Sequence, residues 1–141
     1  MIEARDVIRM RVPFPGIDSR LSRQSHMYIC QIKKANTHGF LKCQTLKPYM
    51  LGKQNPMKNF HDEEADVNRN PFVRTTRIDC DRVFSTKAIE YSEKMRTTNR
   101  KDICIDFFQI LQNKIVNITS NSIQVNEDEL LRINPLATKI K

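Results

Sequence analysis

Between Phe14 and Pro48 the sequence FPGIDSRLSRQSHMYICQIKKANTHGFLKCQTLKP carries Arg20, Arg23, His26 and Thr45. These side-chain types suit chemistry at a phosphate. An imidazole exchanges a proton near neutral pH, a guanidinium holds phosphate oxygens through paired donors, and a hydroxyl adds a further donor. Together they are enough for one metal-free reaction, in which the 2′-hydroxyl of RNA attacks the adjacent phosphorus. One group takes the 2′ proton, another protonates the leaving 5′ oxygen, and a cation or donor stabilises the phosphorane. Each residue also has an ordinary structural reading. Loop arginines are solvated, a histidine at a strand start is structural, and a threonine in a strand follows β-propensity.

Other chemistries lack their residues. Three glycines in the whole chain argue against a phosphate-cradling loop or a dinucleotide fingerprint, and neither His-Glu-x-x-His nor Gly-x-Ser-x-Gly occurs. Cys30, Cys43, Cys80 and Cys104 form no Cys-x-x-Cys pair, and His26, His38 and His61 are scattered. This spacing argues against zinc and reads as reduced, buried thiols. The acidic cluster Asp62-Glu63-Glu64 with Asp66 reads as a solvated loop ahead of a divalent-ion site. No metal and no cofactor is expected.

The formal net charge is +8. Residues 1–60 hold 11 Lys and Arg against three acids, whereas residues 61–141 hold 13 of each sign. The excess therefore lies in the first part of the chain, as expected of a polyanion-binding surface, with RNA or DNA ahead of lipid. A merely solubilising basic face is the competing reading. Basic residues on strand-like segments, Arg9, Arg11, Lys42, Lys47, Arg74 and Arg77, are the expected RNA contacts. With 39% hydrophobic and 28% charged residues, 141 residues suggest one globular domain around a single core. No apolar run approaches the ~20 residues that cross a membrane. MIEARDVIRM lacks a signal-peptide core, so a cytoplasmic protein with no membrane association is expected.

The elements that would position these groups follow from periodicity. Ile8, Met10, Val12 and Phe14 alternate with Arg9, Arg11 and Pro13, the pattern of a half-buried strand over 6–14. Pro15-Gly16 breaks it, and residues 17–25 read as an exposed loop. HMYICQIK (26–33) and FLKCQTLK (40–47) read as a β-hairpin around a turn at 35–39, with Asn36 and Gly39 suited to positive φ. Residues 49–70 read as a loop, either functional or mobile or a solvated variable insertion. Strand segments are expected at 72–78 and 83–89, around a turn at Asp79-Cys80-Asp81-Arg82. A helix is expected over roughly 100–117, capped by Thr98 or Asn99, with Asp102 at its positive end. A short strand at 122–125 and a helix capped by Asn126 precede a frayed end. The order favours an α+β fold: a β-rich part over 1–97, a C-terminal helix over 98–117 and a tail extension over 118–141.

This order resembles the MazF/PemK toxins, the mRNA-cleaving partners of toxin–antitoxin pairs. The matching features are a first strand at Val7–Phe14, Phe14-Pro15-Gly16, strands at His26–Ile32 and Phe40–Thr45, Arg77-Ile78-Asp79-Cys80-Asp81-Arg82-Val83-Phe84, and the helix from about Arg100. The resemblance spans roughly residues 5–117. It implies a small SH3-like barrel that forms a homodimer, and a sequence-selective, metal-independent endoribonuclease acting on single-stranded mRNA. It also implies an acidic antitoxin as partner. The family pairs an arginine at the start of the second strand with a Thr or Ser at the end of the third. Thr45 takes the second position. Where the family has Arg-Pro, this chain has Ser25-His26, which leaves Arg23, Arg20 and His26 as candidates for the first. A non-catalytic barrel that binds nucleic acid or an acidic protein is the alternative.

Overall fold

Strands β1 (Val7–Met10), β2 (His26–Lys34) and β3 (Thr37–Thr45) form an antiparallel meander in the computed structural model, which describes residues 1–52, 57–117 and 121–140. The β2–β3 hairpin is as expected, but its strained residue is Ala35, at φ 53°. Gly39 lies inside β3 instead. An added Cβ there would meet Ile32 Cγ2 at 2.8 Å and Val83 Cγ1 at 2.9 Å, so glycine serves close packing and not the turn.

The far edge of β3 meets one long, interrupted strand. β5 (Thr76–Asp79) pairs with Cys43–Thr45, and β6 (Arg82–Lys87) pairs with Thr37–Phe40, both antiparallel. Between the pairs Cys43–Ile78 and Phe40–Phe84, β3 advances three residues and its partner six. The extra residues are the turn expected at 79–82, and the sheet forks there. The Asp81 carboxylate accepts the Lys58 and Asn59 N–H groups at 2.8 and 3.0 Å, which starts β4 (Phe60–Glu63) beside β5. The Asp81 carbonyl accepts the Asn121 N–H at 2.8 Å, which starts β8 (Asn121–Gln124) parallel to β6. A seven-stranded, mostly antiparallel sheet results.

The sheet has two apolar faces. Ile8, Met10, Tyr28, Cys30, Phe40 and Phe84 belong to one buried cluster, and Val7, Ile29, Leu41, Cys43 and Ile78 to the other. Successive side chains of a strand point to opposite faces, so the unbroken apolar runs of β2 and β3 bury both. Helix α2 (Ile105–Asn117) covers the second face through Phe107 and Leu111. Helix α3 (Glu127–Ile133), through Leu130, and the pair β7 (Ile89–Tyr91) with β9 (Ala137–Lys139) cover the first. This corrects the expectation of a single core. The α+β class holds, but the sheet does not close into a barrel. With each face covered by its own layer, it has no interior to enclose.

Four local expectations are also corrected. The loop at 17–25 contains a helical turn, α1 (Arg20–Arg23), capped by Ser19, whose hydroxyl accepts the Ser22 N–H at 3.3 Å. Helix α2 begins at Ile105, because the preceding segment is captured by the edge of β1. There the Val7 N–H reaches the Lys101 carbonyl at 3.0 Å and the Thr97 N–H reaches that of Val7 at 3.1 Å. Within 49–70, of which residues 53–56 lie outside the described residues, β4 joins the sheet. In the tail extension over 118–141 the short strand and the helix stand where expected, but the end expected to fray is paired with the fold through Ala137–Lys139. The described residues of this extension supply β8, α3 and β9, and the buried Asn134 amide pairs with both backbone groups of Arg11 at 2.9 and 2.8 Å. Asn126 caps α3 as expected, accepting the Glu129 N–H at 3.1 Å. Among the described residues no helix is long and apolar enough to cross a membrane.

Candidate nucleic-acid interface

β2 begins and β3 ends at the same margin of the sheet, and two adjoining grooves lie there. One, of about 240 Å³, is lined by Arg20, His26, Lys42, Gln44 and Arg82 with Phe14. The other, of about 260 Å³, is lined by Arg9, His26, Gln44, Thr45 and Arg74. His26 and Gln44 belong to both. Neither lining contains a carboxylate.

Strand parity sorts the candidates. Tyr28 pairs with Lys42 and Met27 with Cys43. His26 thus shares a face with Tyr28, Lys42 and Gln44, while Thr45 shares the opposite face with Cys43 and Met27. Arg9, opposite Met27, lies on the Thr45 side. His26 and Thr45 therefore meet around the sheet margin and do not stand side by side on one face. α1 places Arg20 in the His26 groove, whereas Arg23 lines neither groove. The turn is tied to the end of β1 by the Val12 N–H, which donates to the Leu21 carbonyl at 2.9 Å. Its sequence signal was Ser19, a good N-cap, two residues before the apolar Leu21.

His26 has a defined tautomer. Its Nδ1 lies 3.1 Å from the Gln24 carbonyl, which can only accept, so Nδ1 carries the proton and Nε2 keeps a lone pair. Burial lowers its pKa, opposed by the Gln24 hydrogen bond and aided by Lys42 and Arg20, so the ring is neutral at pH 7. Lys42 also has a lowered pKa, chiefly through burial. The buried Asp79, whose charge acts on Lys42, has its pKa raised by burial and accepts the Asp81 N–H at 2.8 Å. Asp79 also holds Arg82, with Oδ2 at 3.7 Å from Nε, and the Arg82 guanidinium lies 5.5 Å from the centre of the Phe14 ring. The site thus combines an imidazole and an ammonium whose pKa values are both lowered with the guanidinium groups of Arg20 and Arg82, of which Arg82 is held by Asp79.

The other expected RNA contacts divide. Arg9, Arg20 and Arg74 have no side-chain hydrogen bond or ion pair among the described residues, which leaves their charges for an anion, whereas Lys42 also feels the Asp79 carboxylate. Lys47 is exposed outside both grooves, and Arg11 lies farther along the β1 edge. Arg77 is not a surface contact. Its side chain is 2% exposed, and its Nε and Nη2 donate to the two Asp62 oxygens at 2.8 and 2.9 Å. Glu63 likewise accepts from Arg69 at 2.7 Å and from Asn70 at 3.2 Å, with His61 Nε2 at 3.0 Å. The start of the acidic cluster is therefore internal ion pairing, not a solvated loop. Asp79 and Arg82 were missed in the sequence because they sat inside a segment read as a turn. No protein-family model, curated protein or solved structure matches this chain.

Proposed function

We propose that this protein binds single-stranded RNA and cleaves it without a metal ion, as a nuclease of the MazF/PemK kind. The observation that carries the reading is the acid-free groove in which the neutral His26 imidazole shares a sheet face with Lys42, beside Arg20 and Arg82. In the proposed step His26 Nε2 takes the 2′-hydroxyl proton as the 2′ oxygen bonds to phosphorus. The bond from phosphorus to the 5′ oxygen breaks, and the Lys42 ammonium protonates that oxygen. The products are a 2′,3′-cyclic phosphate and a free 5′-hydroxyl. Arg20 and Arg82 hold the phosphorane oxygens, and Thr45 donates to a neighbouring phosphate from around the sheet margin. The SH3-like relationship, the homodimer and an acidic antitoxin that covers the basic grooves belong to the same proposal.

The test is incubation of purified protein with single-stranded RNA in EDTA. Cleavage leaving a cyclic phosphate is expected, with His26→Ala slower by about 10²-fold or more. RNA that stays intact, or cleavage that requires Mg²⁺, refutes it. A second reading, a binding module without catalysis, is favoured because Thr45 leaves the sheet by the face opposite His26 and Arg23 lines neither groove. Salt-sensitive RNA binding with no cleavage selects it.

A further inference from the structure

A further groove, of about 720 Å³, runs along the outer edge of β1 toward α3. Its cations are Arg9, Arg11, Lys94, Arg96 and Arg132, and its lining also contains no carboxylate. Arg96 is neutralised from outside the groove by Asp6, at 2.8 Å, and by Glu93. Arg11, Lys94 and Arg132 have no side-chain hydrogen bond or ion pair among the described residues. The groove adjoins the two at the sheet margin, since Arg9 and Ser25 line both it and the Thr45 groove, which in turn shares His26 and Gln44 with the Arg20 groove. A second sizeable groove, by contrast, includes Glu127 and Asp128 in its lining.

We infer that these three grooves form one track for the backbone of single-stranded RNA, and that the C-terminal part of the chain supplies its far end through Arg132. This rests on the RNA reading above and extends it from a reacting phosphate to a strand of several nucleotides. Passing from β1 through β2 and β3 to β6, the track crosses three strand spacings, about 14 Å, before the length of the β1-edge groove is added.

Two observations favour a single strand over a duplex or an acidic protein. The track passes from one face of the sheet around its margin to the other, a path that a duplex with a persistence length of about 150 bp does not follow. Its lining sets apolar side chains among the cations, with Met10, Met95 and Leu136 in the long groove, Val73 in the middle one, and Phe14 and Pro15 in the third. Cations interleaved with apolar side chains suit a chain that carries phosphates on one side and unstacked bases on the other. A poly-acidic peptide matches only the cations.

The test is fluorescence anisotropy of the wild-type chain with a 2′-O-methyl RNA 12-mer, which cannot be cleaved through its 2′ oxygen. Each cation withdrawn from a phosphate should flatten the plot of log affinity against log salt by about 0.7. The double variant Arg11→Gln/Arg132→Gln is expected to flatten it by roughly 1.4 with an unchanged Tm, and Lys87→Gln, outside the track, to leave it alone. The same slope in the double variant and the wild type overturns the track. A poly-glutamate peptide that binds as tightly as the RNA, or an RNA duplex that does, overturns it as well. The two proposals fail separately. A slope that flattens as expected, without cleavage of natural RNA, leaves the track and removes the nuclease. Cleavage with the same slope in variant and wild type does the reverse.

Discussion

Replacing Arg77 by methionine should destabilise the fold without a specific effect on RNA binding. The Arg77 guanidinium is buried, doubly hydrogen-bonded to Asp62, and donates through Nη1 to the Met50 carbonyl at 2.8 Å. It also stacks 3.8 Å from the centre of the Phe60 ring. Removing one partner of a buried ion pair costs about 3–5 kcal/mol, because the other charge is left uncompensated. The Asp62 side chain is 31% exposed, so water takes over part of its solvation and the loss falls toward the lower end. The Met50 carbonyl, left without its donor, adds about 1 kcal/mol, while methionine keeps most of the packing of the aliphatic stem. The expected total is about 3–4 kcal/mol, or a Tm lowered by roughly 10 °C for a chain of this size. Urea denaturation of Arg77→Met, Asp62→Asn and the double variant provides the assay, with a coupling energy of about 2 kcal/mol expected. An Arg77→Met protein within about 0.5 kcal/mol of wild type but weaker in RNA binding would refute the reasoning. It would place this side chain at the surface, where its sequence neighbourhood suggested it should be.

Asn134→Ala removes the two bonds to the Arg11 backbone and a third to the Leu130 carbonyl at 2.8 Å, so a loss of about 3 kcal/mol is expected, with faster amide exchange at Arg11. Unaltered exchange at Arg11 would show that the tail does not hold the β1 edge. Stability should also depend on pH below neutrality, because burial lowers the pKa of both His26 and His38 in the folded chain. A group whose folded pKa is depressed binds fewer protons folded than unfolded. Its contribution is full above the unfolded value near 6.5 and is lost as pH falls through the folded value. His38 Nε2 donates to the Ile2 carbonyl at 3.1 Å and its buried Nδ1 has no acceptor among the described residues, so charging the ring strands an N–H. The urea midpoint should therefore be lower at pH 5 than at pH 7.5, and by less in His38→Phe, which can keep the stacking on Phe40. Equal wild-type midpoints at the two pH values would contradict the burial of these rings.

Much of the local structure was legible because it depends on near neighbours. Apolar alternation marked β1, β-formers around a short turn marked the β2–β3 hairpin, and Asn126 marked the start of α3. The types of side chain able to act on a phosphate, and their crowding between Phe14 and Pro48, were legible as well. The start of α2 was missed because backbone groups at 97–103 found partners on the β1 edge, a competition that no local propensity encodes. Charge was the least readable property. Arg77 and Arg96 look like any other basic residue in the chain, yet folding pairs them with Asp62, Asp6 and Glu93. Lys94 and Arg132, from the half of the chain with no net charge, find no ion-pair partner among the described residues and stand in one groove with Arg9 and Arg11. The reason is that an ion pair depends on distance through space and on desolvation, while sequence records only order. The same holds for the candidate site. The strand period already places His26 and Thr45 within their own strands, but only the cross-strand register shows that they leave the sheet by opposite faces and that Lys42 is the residue sharing a face with the imidazole.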